Sequence, residues 1–164
     1  MRRLVAVATG SRIPVGELRR RVEERRPRRY RRAINDALRL MADGVCSALE
    51  GLFAIDVESA HGLPTACRQM PTRVDGRTLW EDATYDHVGV ALTVRLDGRR
   101  YHSTPDVAFR DRRRDNAAEL ADRRRLVYGW TDLVNDPCGA AAEVATVLRR
   151  CGWVGPTRPC GRCG

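Results

Sequence analysis

The sequence predicts a mixed α/β domain, with helices flanking a four-stranded sheet and a pair of strongly basic helices ahead of it. Three observations lead there. A chain of 164 residues has the length of one domain and can bury a core without disulfides or metal. Its 43% hydrophobic and 31% charged residues are those of a globular chain rather than a disordered one. The apolar period is helical up to about residue 60, becomes two from Ala66 to Asp97, and then turns helical again around one further short strand.

The elements follow in order. Leu18 and Val22 mark one turn spacing in an arginine-rich helix that Pro27 ends. Tyr30, Ile34, Ala37, Leu38 and Met41 form the stripe of a second helix, stopped at Gly44. Ser47-Ala-Leu-Glu50 has a capping-box pattern and opens a third helix carrying Leu49, Leu52, Phe53, Val57 and Ala60 inward. Ala66 to Val74 and Thr78 to Tyr85 read as strands joined by Asp75-Gly76, a hairpin turn. Asp86-His87 turns again, and Val88 to Asp97 is the most apolar strand, ended by Gly98. A helix over about Asp106 to Asp122 points Phe109, Ala117 and Leu120 inward; Arg125 to Trp130 is the fourth strand, and Gly139 to Arg150 the last helix. The division expected is a basic helical segment over 1–43, a main domain over 44–153, and a flexible Gly/Pro/Cys tail over 154–164.

All 30 basic residues are arginine, and 13 of them fall before residue 40 against four acids. The remaining residues hold 17 arginines and 17 acids, so the net charge of +9 lies wholly in the N-terminal quarter. That asymmetry fits a phosphate-binding footprint and a solvated helical face equally well. No run approaches a membrane span, and the short apolar stretch after Arg2-Arg3 lacks a cleavage site, so a cytoplasmic protein with reduced thiols is expected. Cys160-Gly-Arg-Cys163 has the spacing of half a zinc site, with Cys151 as a conceivable third ligand, but no second pair matches it.

Chemistry is expected near the middle strands. Alternation places Trp80, Asp82 and Thr84 on one face of the second strand, and Thr93, Arg95 and Asp97 together on the third. Asp82 and Asp97 then converge near the strand exit, with Glu50 on a preceding helix and His102 in the next loop. Converging carboxylates suit a hard divalent cation such as Mg²⁺, which activates water and steadies phosphoryl oxygens. Each residue also has a plain structural reading: Glu50 as a capping residue, Asp97-Gly98 as a turn, Asp82 as the partner of an arginine, and His102 as a loop histidine.

The ordered set Ser47-Ala-Leu-Glu50, His61-Gly-Leu-Pro64, Arg68-Gln69, Asp82, Leu96-Asp97-Gly98, His102, Phe109 to Asn116 and Tyr128-Gly-Trp130 resembles a bacterial domain of unknown function. That domain is similar to the very-short-patch-repair endonucleases, with a PD-(D/E)xK restriction-endonuclease-like fold, and occurs C-terminal to abortive-infection type IV antitoxin-like winged helices. The resemblance spans about Gly44 to Trp153. It implies a DNA-associated, Mg²⁺-dependent endonuclease-like domain with Glu50, Asp82 and Asp97 as metal-binding acids and His102 beside them. By the same resemblance Arg110, Arg114 and Asn116 lie on the helix that closes the site. The basic segment, with Arg28, Arg29, Arg31 and Arg32, would hold phosphates. Nothing at this N-terminus resembles a complete winged helix, so those helices read as a linker or the remnant of a longer region.

One departure stands out. The third strand of the family reads Glu-x-Asp-Gly, and here it reads Arg95-Leu96-Asp97-Gly98. A guanidinium neither binds a cation nor gives up its proton. Pairing of Arg95 with Asp82 and Asp97 would weaken or abolish catalysis; an outward Arg95 would leave the metal to Glu50, Asp82 and Asp97. A non-enzymatic antitoxin-like or regulatory protein on the same scaffold, partnered within a toxin–antitoxin or defence system, is the alternative.

Overall fold

The structure, a computed structural model, describes residues 7, 9, 10, 13–27, 29–98, 105–161 and 163. Helix α1 (Val15–Arg25) packs against α2 (Arg31–Ala42). Helix α3 (Ala48–Leu52) starts on the side chain of Ser47, which accepts the Glu50 amide at 3.1 Å, and continues as a wider π-type turn over Phe53–Ser59. Strands β1 (Cys67–Val74), β2 (Arg77–Thr84) and β3 (Leu92–Asp97) follow, then α4 (Pro105–Leu120), β4 (Arg124–Gly129), α5 (Trp130–Asn135) and α6 (Pro137–Arg150). No helix among the described residues is long and apolar enough to cross a membrane.

The four strands form one mixed sheet in the order β1-β2-β3-β4, antiparallel at the first two pairings and parallel at the last. Asp75 and Gly76 both take positive φ (50° and 75°), the geometry that lets a two-residue turn follow the strand twist. The third strand is four residues shorter than its apolar run predicts. Gly89 at φ 78° ends a 3-10 turn over Asp86–Val88, and the Tyr85 backbone holds the loop by donating to Leu92 and accepting from Val90. Helix α5 has no apolar period long enough to read. Gly129 starts it, with its amide held by the Asp132 carboxylate at 2.7 Å.

One face of the sheet carries the core. Leu49, Leu52, Phe53 and Val57 pack on Ala83, Leu92, Val94 and Tyr128, with Val144 and Leu148 of α6 completing the layer. Burying each large aliphatic side chain there contributes about 1.5–3 kcal/mol. Beneath Phe53 lies a charged knot in which Glu58 accepts from Tyr85 Oη (2.8 Å), the Ala66 amide (3.0 Å) and Arg68. Burial pushes the Glu58 carboxyl upward, and Arg68, Tyr85 and Ala66 pull it back.

The opposite face is covered by α4, and its contacts are ionic. Arg95 meets Asp111 and Asp115, Arg125 meets Asp115, and Arg114 meets Glu81 at 3.3 Å. Of the apolar positions expected to face inward, Ala117 lines the space between α4 and the sheet, whereas Phe109 is 57% and Leu120 89% exposed. Tyr30, expected on the stripe of α2, is 64% exposed and stands ahead of that helix, which packs through Ala37 and Leu40 on Val45 and Ala54. The segment after Trp153, expected to be a flexible tail, is tied to the body at Arg158. The Arg158 amide donates to the His61 carbonyl at 2.9 Å and its guanidinium to the Ser59 carbonyl at 2.6 Å.

Candidate active site

Two of the expected acids, Glu50 and Asp82, stand near the end of the sheet. The first turn of α3 lies on the end of β3, since a Cβ on Gly98 would meet Leu49 Cδ2 at 3.9 Å. The Ser47 cap sets the helix rotation that turns Glu50 into this corner, where its carboxylate accepts the Cys46 amide at 3.0 Å. Burial pushes the Glu50 carboxyl above its usual range and the charge of Asp82 adds to that, while Cys46, Ser47 and Gln69 hydrogen bonds oppose it.

Asp82 sits where β2 changes its hand. Residues two apart in a strand normally share a face, yet Ala83 lies in the core while Glu81 reaches Arg114 of α4 on the other side. The break falls at Asp82, opposite Gln69, whose φ is 50°. Beyond the Ala83–Val94 pair the ladder opens, and the Asp82 carboxylate accepts the Leu96 amide at 2.8 Å. A short, splayed β2–β3 pairing thus delivers a carboxylate to the strand ends. Asp97 is exposed at the last position of β3, alongside Gly129 of β4.

Arg95 does not pair with Asp82 as expected; its contacts lie elsewhere. Its Nη1 donates to Asp115 at 2.8 Å and its Nη2 to Asp111 at 3.0 Å, both on α4. The physical reason is register: Arg95 and Thr93 share the face opposite Val94, the face that α4 covers with acids. Asp111 and Asp115, one helical turn apart, are the residues that sequence reasoning missed. They sit in the Phe109-to-Asn116 motif, and a turn-spaced acid pair opposite a strand arginine is the signal that would have found them.

The remaining expected residues divide. Arg114 is engaged with the sheet: it bonds the Trp80 carbonyl at 2.6 Å and pairs with Glu81, with its side chain 19% exposed. Arg110 and Asn116 are exposed, Arg110 leaning on the Asp106 carbonyl at 3.3 Å. In the basic segment, Arg20 and Arg21 of α1 are neutralised by Glu17 and Glu24. Arg29, Arg31 and Arg32 stay exposed around Tyr30, with the Arg29 guanidinium 5.0 Å above its ring. His102 and Arg28 lie outside the described residues.

A cavity of about 130 Å³ separates α4 from the sheet, lined by Glu81, Thr93, Arg95, Arg114, Arg123 and Arg125 among others. Glu81 Oε2 and Arg114 Nε face it without a protein partner, which is the setting that bridging water satisfies. As a donor set for Mg²⁺, the corner offers the Glu50 and Asp82 carboxylates with Asp97 at the strand end. Each of the first two gives part of its acceptor capacity to a backbone amide. Hard oxygen donors suit a divalent cation that activates water, but Glu50, Asp82 and Asp97 are not among the described side chains whose ligand atoms gather within 4.8 Å of one another. Comparisons with protein-family models, with curated proteins and with solved structures find no match to this chain.

Proposed function

We propose that the chain is a DNA-associated protein built on an endonuclease-like α/β domain whose hydrolytic site is weakened or lost. The observation that supports this most is the placement of Glu50 and Asp82 near the end of the sheet, with an arginine at 95 where the family it resembles has a glutamate. A cation-activated water needs several carboxylate oxygens turned to one point. Here position 95 is committed to Asp111 and Asp115, and the two corner acids are tied to the Cys46 and Leu96 amides. Arg29, Arg31 and Arg32 beside Tyr30 supply exposed charge for phosphates without reading bases.

Two measurements test this. Duplex DNA binding should weaken steeply with salt, and replacing Arg29, Arg31 and Arg32 with alanine should lower the log–log salt slope by about 2–3. Affinity indifferent to salt, or no binding at low salt, refutes the DNA reading. Cleavage with Mg²⁺ or Mn²⁺ should be slight. Robust cleavage that disappears in Asp82→Ala overturns the claim of a weakened site. The same corner also suits a non-enzymatic, antitoxin-like scaffold, favoured by the way backbone amides already occupy its acids; DNA binding with no cleavage under any metal supports that second reading.

A further inference from the structure

Far from the acid corner, four side chains from three separate parts of the chain meet at one point. His61 follows the π-type turn, Cys138 is the second residue of α6, and Cys160 and Cys163 close the C-terminal segment. Their ligand atoms all lie within 4.8 Å of one another. The sulfurs of Cys138 and Cys160 are 3.5 Å apart, those of Cys160 and Cys163 3.5 Å, and those of Cys138 and Cys163 3.4 Å; Cys163 Sγ is 3.4 Å from His61 Nε2.

We infer that these four side chains bind a single zinc ion, with three thiolates and one imidazole in a closed tetrahedral site. Zn–S bonds near 2.3 Å place tetrahedral sulfurs about 3.8 Å apart, so the three sulfurs need to part by only a few tenths of an ångström. The second layer is already arranged. His61 is buried, and its Nδ1 meets the Val57 carbonyl at 3.0 Å. That hydrogen bond fixes the proton on Nδ1 and leaves Nε2 as the electron-pair donor, the usual orientation of a zinc-binding histidine. Cys138 sits in the first turn of a 14-residue helix, which fixes where its sulfur stands. The Cys163 amide donates to the Cys160 carbonyl at 3.0 Å, a tight turn that points both sulfurs the same way.

A disulfide would use two of the three sulfurs and give no role to the oriented imidazole. Three sulfurs and one nitrogen in tetrahedral reach select zinc over hard cations, which take oxygen. Binding displaces three thiol protons to solvent and clamps the C-terminal segment to α6 and to the end of α3's π-type extension. The site is independent of the acid corner and of any DNA reading.

Elemental analysis of the full-length chain, purified without chelator, tests this. About one zinc per chain is expected, lost in Cys160→Ser and in Cys163→Ser and kept in Cys46→Ser and Cys151→Ser. Cobalt(II) added to the metal-stripped chain should give the strong visible bands and thiolate charge-transfer absorption of a tetrahedral site. If the serine variants fail to fold, His61→Cys serves instead: it should retain zinc with a shifted cobalt spectrum. The inference is overturned by zinc content that Cys160→Ser and Cys163→Ser leave unchanged, or by a cobalt spectrum without thiolate bands. An intact mass showing a disulfide among Cys138, Cys160 and Cys163 in freshly purified protein overturns it as well.

Discussion

Arg95 is the residue on which structure and function bear together. Its side chain is 16% exposed and bridges Asp111, 50% exposed, and Asp115, 38% exposed. Truncation in Arg95→Ala removes two charge-assisted hydrogen bonds, each worth about 1 kcal/mol at such half-exposed acids. Arg125 stays on Asp115, so the net loss is about 2 kcal/mol. Arg95→Glu goes further, because it turns attraction into repulsion among three carboxylates. Unit charges about 5 Å apart at an effective dielectric near 20 repel by about 3 kcal/mol, and solvent at the exposed acids reduces that to about 1–2. The total is about 3–4 kcal/mol. At about 2–4 °C per kcal/mol for a chain of this size, the melting temperature should fall by about 6–16 °C. Thermal and urea melts of the natural chain and both variants measure it. Mg²⁺ should restore part of the loss in Arg95→Glu, which gathers three acids, and leave Arg95→Ala unmoved. If both variants melt within about 0.5 kcal/mol of the natural chain, Arg95 is not clamped under α4, and its pairing with Asp82 returns as the better description.

Two further outcomes follow from paired charges. Glu58 and Arg68 are each 2% exposed, so Glu58→Gln should cost about 3–5 kcal/mol by leaving a buried guanidinium uncompensated. Adding Arg68→Met should recover most of it in the same urea melts, and a double variant as unstable as the single would contradict this. The Arg123 guanidinium holds the Asp86 carboxyl below its usual range through hydrogen bonds of 2.6 and 3.1 Å. A lowered folded pKa stabilises above the unfolded value and loses that effect as pH falls through the folded one. Asp86→Asn should therefore be less stable at neutral pH by about 0.5–1 kcal/mol, with the gap closing in acid; a gap that widens below pH about 4 refutes it.

The sheet side of this molecule was legible because its signals are local. Asp75-Gly76 prescribes a turn by backbone conformation, and Ser47 prescribes a helix start by one hydrogen bond. What escaped depends on residues far apart in the chain. The apolar rule turned Phe109 and Leu120 inward, whereas the sheet face awaiting α4 carries Arg95 and Arg125 and selects Asp111 and Asp115. Strict alternation also missed the change of face at Asp82, which Gln69 imposes from the neighbouring strand. Cys160-Gly-Arg-Cys163 reads as half a metal site because its other candidates, Cys138 and His61, lie 25 and 102 residues before Cys163. Spacing rules find ligands that are neighbours in sequence, and here only the fold makes them neighbours.

The two coverings of the sheet answer to different solvents. The α3 and α6 layer is held by excluded water and close packing, so heat and urea loosen it while salt hardly touches it. The α4 layer is held by Arg–Asp and Arg–Glu pairs around a cavity, and salt weakens such pairs to the extent that solvent reaches them. Helix α4 is thus the layer whose attachment to the sheet answers most to ionic strength. Arg95 and Arg125 hold that layer from the sheet and Arg114 from the helix, so each side of the seam carries its own cations.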